Sequence, residues 1–188
     1  FPTRRSSDLI IVSLAFGLIG GLLGSLVLIA VGVTIGDTGI GIVWPIALAL
    51  MLINPRFICF AYAGGIVSLL NLATGWPKVH VPGIMCLVAI LHFTESALIY
   101  LSGHLQPTPI YVRGQADELV GAFSLQKFWP LPLIALSAMV IPGGAPAAGS
   151  IAMPDWWPLF RSTLLRPETI FVMFPLVAGL GYGDIAIT

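Results

Sequence analysis

Residues 9–35 read LIIVSLAFGLIGGLLGSLVLIAVGVTI and contain no charged side chain. An α-helix rises about 1.5 Å per residue, so about 20 apolar residues cross the hydrocarbon core of a bilayer. The stretch exceeds that length and predicts a transmembrane helix. Within it, Gly17, Gly21 and Ser25 recur every four residues. Small side chains at this spacing allow another helix to approach closely.

The composition of the whole chain also indicates a protein that lies in a lipid bilayer. Of the 188 residues, 57% are hydrophobic and 9% are charged, and the mean hydropathy is +1.01. A soluble domain carries about 25% charged residues, so lipid suits this chain better than water. The net charge is zero, which gives no basic footprint for nucleic acid. Cys59 and Cys86 lie in apolar segments and are typical of small buried hydrophobes rather than of a disulfide.

Apolar runs separated by turns and prolines predict an all-α polytopic membrane protein. We expect about six transmembrane helices and a small extramembrane β-hairpin. The second and third runs, residues 40–53 and 57–72, are short. They form either two tilted spans or one re-entrant hairpin, and we prefer two spans. The predicted segments are transmembrane helices 1–4 in 9–101, an extramembrane loop with the hairpin in 102–127, helix 5 in 128–141, a loop with an interfacial segment in 142–168, and a truncated helix 6 in 169–188.

Two of these segments have local signals of their own. Residues 110–113 and 119–123 are predicted strands, joined by a polar turn at 114–118. Residues 153–160 contain two adjacent tryptophans, which are typical of headgroup depth. Residues 1–8 resemble translated sequencing adapter, so we exclude them from the predicted fold and expect the chain to be a fragment. Lysines and arginines divide equally between the two sides of six spans and do not set the orientation.

Glu95 is the one acidic residue well inside a predicted span. A charge at the centre of a membrane helix costs roughly 2.5–3.5 kcal/mol on insertion scales, so it needs a partner or a proton. His92 and Ser96 share its helix face and complete a candidate intramembrane polar site. Three roles remain open for Glu95: a neutral packing residue, a proton or ion relay, or a metal ligand.

The sequence contains no complete catalytic motif. His92 and Glu95 are too few to hold a metal, and His104 is about three helical turns further along. The order His-x-x-Glu-Ser also differs from the His-Glu-x-x-His of zinc proteases, which disfavours an intramembrane protease. No nucleophile elbow or phosphate-binding loop occurs. We therefore predict no catalytic, cofactor-binding or metal-binding residue, and no cofactor.

Several short strings resemble the membrane region of Firmicute PDZ-domain membrane proteins, the MinJ-like group of cell-division topological determinants. They cover most of the chain after residue 8 and lie at residues 75–77, 81–82, 87–96, 99–104, 109–113, 121–130 and 181–186. The resemblance implies a multi-pass anchor in the bacterial plasma membrane with both termini in the cytoplasm. It also implies a C-terminal PDZ domain, outside this chain, that would bind protein partners by adding a strand to a sheet edge.

Two functions are compatible with these observations. The first is a non-enzymatic membrane scaffold that recruits partners, including division-site proteins, with the lipid bilayer as its surroundings. The alternative is a fragment of a small-solute or proton-coupled transporter, which the glycine-broken short spans and His92 with Glu95 in the membrane interior favour.

Overall fold

In a computed structural model, the described part of the chain forms four helices followed by three strands. The structure describes residues 6–36, 38–54, 57, 59–102, 105, 108–113, 118–140, 153–160 and 169–187. Predictions that concern residues 1–5, the turn at 114–117, the loop at 142–152, residues 161–168 and His104 lie outside these residues, whereas residues 6–8 of the predicted adapter form the start of the first helix. The elements are α1 (Ser6–Val31), α2 (Ile40–Ile53), α3 (Phe60–Thr74), α4 (Val81–Ser102), β1 (Thr108–Arg113), β2 (Leu119–Val140) and β3 (Thr169–Ile187).

The prediction of an all-α protein with six spans is wrong, because the segments assigned to helices 5 and 6 form strands β2 and β3. Pro130 and Pro132 explain the first strand. Proline has no N–H group and costs about 3 kcal/mol in a helix interior, so two prolines two residues apart make a helix that runs through them unfavourable. In β3, Pro175 and glycines at every second position from Gly179 weaken a helix in the same way.

Two of the four helices are long and apolar enough to cross a membrane. These are Ile10–Val31 of α1 and Val81–Ser102 of α4, each with 22 residues. At about 1.5 Å per residue each is about 33 Å long, which matches the roughly 30 Å hydrocarbon core. Helices α2 and α3 have 14 and 15 residues, and each is only about 21 Å long. By length, two of the four segments predicted as transmembrane helices 1–4 can cross a bilayer, and the other two are too short.

The chain divides into two compact units. The first contains Phe1–Gly24, His92–Leu133 and Leu176–Thr188, and the second contains Ser25–Leu91 and Ile134–Pro175. Elements α1, α4, β2 and β3 contribute residues to both units. Each unit has its own packing, and the two are described separately below.

In the first unit, the glycines of α1 are covered on one side by strand β2. A Cβ atom on Gly17 would overlap the carbonyl oxygen of Pro130, and one on Gly21 would overlap that of Pro132. Four residues of an α-helix rise about 6.0 Å, and two residues of a strand rise about 6.6 Å. The four-residue spacing of the glycines in α1 therefore nearly matches the two-residue spacing of the prolines in β2. The small-residue stripe predicted to receive a helix receives a strand instead.

Helix α4 packs on an adjacent face of α1 in the same unit. A Cβ atom on Gly20 would lie 2.8 Å from the side chain of Leu98, and one on Gly24 would lie 3.3 Å from Oγ1 of Thr94. The α1 residue number rises by four while the α4 number falls by four, so the two helices are antiparallel. Glycine is needed at these positions because the neighbouring helix and strand leave no room for a side chain.

The sheet has the strand order β1-β2-β3. Strands β1 and β2 pair antiparallel, with a register from Thr108 opposite Ser124 to Arg113 opposite Leu119. The pairing occurs where the sequence predicts a hairpin, but β2 continues well beyond it, to Val140. In the first unit, the ring of Phe128 lies over Gly179 of β3, where a Cβ atom would be 2.7 Å from the ring.

In the second unit, helices α2 and α3 form a hairpin against the first turn of α4. Its core consists of buried apolar residues from α2, α3 and the segment that leads into α4: Val43, Ala47, Ala63, Val67, Val79 and Ile84. A second cluster joins Leu28, Val33 and Ile90. Strand β2 also reaches α1 here, because the Ile134 N–H donates to Oγ of Ser25 at 2.8 Å.

Candidate membrane-embedded polar site and interfacial rim

The predicted polar site lies near the middle of α4. Nδ1 of His92 is 3.1 Å from Oε2 of Glu95, and the two side chains are 46% and 21% exposed. The spacing of three residues places both on one helix face, as the sequence predicts. With a hydrogen on Nδ1 the imidazole donates to Oε2, and with a protonated carboxyl group Oε2 donates to Nδ1, so in both cases this carboxyl oxygen has a hydrogen-bond partner.

Ser96 lies beside this pair on α4 and is exposed. The exposed face of α4 also carries Met85 and Phe93, which are 41% and 66% exposed. Thr94 points the other way, is 4% exposed, and packs at Gly24 of α1. The polar residues of α4 are therefore divided between two faces, and the His92–Glu95 contact belongs to the outward one.

The described residues contain no group of three or more side chains that could hold a metal ion. His104 lies outside those residues. The contact between His92 and Glu95 can hold or pass a proton, or fix the two side chains relative to each other. The roles of His92, Glu95 and Ser96 stay predictions.

The outward face of α1 is apolar along most of the candidate span. Leu14, Leu18, Leu22 and Leu26 are 47%, 60%, 66% and 58% exposed and recur every four residues. Only 33% of the most apolar window of α1 and 28% of that of α4 is buried inside the protein. A core helix of a soluble domain would be mostly buried, so these two helices have surfaces suited to hydrocarbon.

The segment 153–160 covers the C-terminal end of α1, in the second unit. Nε1 of Trp157 donates to the carbonyl oxygen of Ile29 at 2.9 Å, and the Leu159 N–H donates to that of Val31 at 3.0 Å. These are among the last carbonyls of the helix, which have no partner within it. Gly32 follows with φ +78°, the left-handed conformation that commonly ends a helix. The segment thus satisfies backbone groups where α1 leaves its candidate span.

A second rim segment joins α3 to α4 in the same unit. The side-chain amide of Asn71 donates to the carbonyl oxygen of Pro77 at 2.6 Å, and the Trp76 N–H donates to Oγ1 of Thr74 at 3.2 Å. Gly75 has φ +73° and ends α3. The indole of Trp76 is 69% exposed, and Lys78 beside it is exposed. Tryptophan and lysine next to helix ends are typical of the membrane–water interface.

The sequence analysis did not predict the structural roles of three residues: Pro130, Pro132 and Trp157. Pro130 and Pro132 carried a usable signal, since two prolines two residues apart suit a strand that donates no hydrogen bond on one edge. Trp157 was assigned to an interface, but its hydrogen bond to α1 has no local signal, because the partners are 128 positions apart.

Comparison with known proteins gives one similarity. Over 100 residues, the chain is 27% identical to the cell division topological determinant MinJ of Bacillus subtilis (strain 168), a match that covers 53% of this chain. The chain resembles MinJ over about half of its length. The match covers 23% of MinJ itself, so the chain spans about a quarter of that relative. It supports a MinJ-like relationship at most and does not show a PDZ domain. No model of a protein family and no solved structure matches the chain.

Proposed function

We propose that this chain is the membrane-anchoring part of a MinJ-like protein that acts in determining the site of cell division. The main observation behind this proposal is the similarity to MinJ. It is found in a chain whose two longest helices have apolar outward faces. The similarity supports the role in division, and the surfaces of α1 and α4 support the bilayer as its location. The His92–Glu95 contact gives no specific support to the transporter hypothesis.

The anchor consists of α1 and α4 as an antiparallel pair. In the first unit their contacts run from Gly20 with Leu98 to Gly24 with Thr94, so the chain crosses the bilayer and returns. The N-terminus of α1 and the C-terminus of α4 then lie on one side, together with β1 and the start of β2. In the second unit, the aromatic rim segments before α4 and after α1 have residues typical of a membrane surface.

The anchor acts as a scaffold in this proposal. It has no catalytic role, and it holds domains outside this chain at one membrane site. A PDZ domain in the longer protein, which the sequence resemblance implies, would recruit protein partners through their peptide segments. His92, Glu95 and Ser96 then serve as a packing site on α4 rather than as a transport route.

A localisation experiment tests both parts of the proposal. The full-length protein is fused to a fluorescent protein in the bacterium that carries it, and membranes are washed with alkaline carbonate. We expect fluorescence at division sites and retention in the washed membranes. A protein that leaves the membranes contradicts the anchor. A protein that stays but is spread evenly around the cell contradicts the role in division.

A matched pair of variants assigns the anchor to α1. Leu18→Lys with Leu22→Lys places two charges on the outward face of the helix, each costing roughly 2.5–3.5 kcal/mol near the centre of a span. We expect less of this variant than of the unsubstituted protein to remain in carbonate-washed membranes, because α1 is then disfavoured in the bilayer and α4 is left to anchor the chain. Leu18→Ala with Leu22→Ala shortens the same side chains without charge and should remain in the membrane. Equal behaviour of the two variants contradicts the assignment.

A further inference from the structure

An apolar groove lies between the α2–α3 hairpin and the rim segment before α4, in the second unit. Its volume is about 340 Å³, at the lower end of the range for ligand sites. No lining residue has a charged side chain or a hydroxyl, carboxyl or amide group. The residues that matter here come from three segments: Ile42, Pro45 and Ile46 of α2, Val67 and Leu70 of α3, and Trp76.

The lining restricts the occupant to an apolar group. A peptide or polar metabolite would bring backbone or hydroxyl groups into the groove and leave them without partners, at a cost of about 1–3 kcal/mol each. A hydrocarbon chain has no such groups. The groove is also continuous with the outward surface of α2 and α3, where Leu48 is 43% exposed and Leu69 is 68% exposed. In a membrane that surface faces acyl chains.

The lining residues at one edge of the groove, Trp76 and Pro77, are followed directly by Lys78. Lys78 is exposed, and of the described residues from 38 to 80 it is the one lysine, arginine or acidic residue. Three residues later, Val81 begins the candidate span α4. In the proposed anchor this order places Lys78 next to the membrane surface, where an ammonium group attracts a phosphate.

The wall at this edge is held in place by hydrogen bonds of the rim segment. Asn71 binds the carbonyl oxygen of Pro77, and Oγ1 of Thr74 is within bonding distance of the carbonyl oxygens of Leu70 and Trp76, at 2.7 and 2.9 Å. The indole of Trp76 consequently stands beside the groove on a fixed backbone. A wall fixed before the ligand arrives reduces the ordering cost of binding.

We propose that this groove binds one acyl chain of an anionic phospholipid of the surrounding bilayer, with the lipid phosphate at Lys78. The chain lies against Pro45 and Ile46 on one side and Leu70 on the other, and Trp76 covers it near the headgroup. This inference rests on the membrane location in the proposed function but not on the role in division: a protein that stays in washed membranes and retains no lipid contradicts the lipid site alone.

Native mass spectrometry of the full-length protein tests the proposal, with phosphatidylglycerol and phosphatidylcholine supplied as an equal mixture. We expect retained lipid, mostly phosphatidylglycerol. Leu70→Trp fills the groove and should lower retained lipid at least tenfold. The control Leu69→Trp adds the same indole on the neighbouring outward position and should leave retention within twofold. No retained lipid, or equal retention by the two variants, overturns the proposal.

A second variant tests whether Lys78 binds the lipid phosphate, and it can still be measured if Leu70→Trp fails to fold. Lys78 is exposed, so Lys78→Gln leaves the packing unchanged. Loss of one lysine near the membrane surface should reduce the preference for phosphatidylglycerol about fivefold. An unchanged preference overturns the assignment of the phosphate to Lys78.

Discussion

Helix α1 and strand β2 are both long, apolar and nearly free of charge, yet they adopt different backbones. The residues in α1 that disfavour a helix are glycines four residues apart, and these keep every backbone hydrogen bond of the helix. In β2 they are prolines two residues apart, which have no N–H group and disfavour a helix much more strongly. In β2, Trp129, Leu131 and Leu133 are at most 4% exposed, while Pro132 between them is exposed. Hydropathy alone does not distinguish the helix α1 from the strand β2. The two differ in whether the backbone N–H groups are present to form helical hydrogen bonds.

The same difference explains how the strand lies against the helix. In the first unit, the carbonyl oxygens of Pro130 and Pro132 approach Gly17 and Gly21 of α1, and the side chains of Leu131 and Leu133 approach Gly20 and Gly24. In the second unit, the N–H of Ile134 donates to Ser25. The prolines have no N–H group that needs an acceptor, so fewer backbone donors on this stretch of β2 need a partner. The glycine stripe of α1 and the proline pair of β2 are therefore complementary features.

Gly21→Ala should have the largest effect on this contact. Its methyl group would overlap the carbonyl oxygen of Pro132, which is backbone and cannot move without shifting the strand. We expect a loss of about 3 kcal/mol in the free energy of unfolding, measured by denaturant titration in lipid–detergent micelles. Gly65→Ala in α3 is the control, because nothing lies within 4 Å of its Cβ position. It should be neutral or stabilising by up to about 1 kcal/mol. Equal losses would contradict close packing of β2 on α1.

Ser25→Ala should have the next largest effect. It leaves the part-buried N–H of Ile134 without its acceptor, at a cost of about 2 kcal/mol in the same titration. Ser13→Ala removes a hydroxyl from the same helix at a half-buried position and should change stability by less than about 0.5 kcal/mol. If Ser25→Ala is as mild as Ser13→Ala, the strand edge has another way to satisfy its donor.

Trp157→Phe should cost less, about 1 kcal/mol. The substitution keeps an aromatic ring but removes the N–H that binds the carbonyl oxygen of Ile29. Trp156→Phe is the matched control, because that indole is 65% exposed. Thermal unfolding of both variants measures the difference. Equal midpoints would show that the segment 153–160 does not stabilise the end of α1.

Glu95→Gln should have the smallest effect. The amide can still bind His92 across the 3.1 Å contact, so a packing role predicts a change below about 0.5 kcal/mol and normal localisation. Proton-coupled flux in liposomes that is lost in this variant would contradict the scaffold proposal. Glu95→Leu, which cannot bind His92, provides the comparison and should be more disruptive to packing than the amide.

The sequence predicts the helical elements well where length and turn signals agree. The uncharged run before Ile35 and the apolar run between Gly83 and Ser102 correspond to α1 and α4. The spacing of His92 and Glu95 on α4 also predicts their proximity. The strand pairing at 108–113 occurs where β-branched and aromatic residues flank a polar turn.

The remaining features depend on contacts between distant parts of the chain. A span count based on apolar run length gave helices at 128–141 and 169–188, because it weighted hydropathy above the two-residue spacing of Pro130 and Pro132. The partner of the α1 glycine stripe could not be identified, since small residues at that spacing accept a helix or a strand equally well. The groove beside Trp76 depends on how α2 and α3 pack, which no local pattern encodes.

The most direct test of the account compares the backbones of α1 and β2 in one lipid-reconstituted sample of the full-length protein. Solid-state NMR gives the Cα chemical shifts of residues 18–26 and 129–136 relative to random coil. The account predicts positive, helical shifts in the first range and negative, extended shifts in the second. Helical shifts in both ranges would contradict it, because residues 129–136 would then belong to a further transmembrane helix.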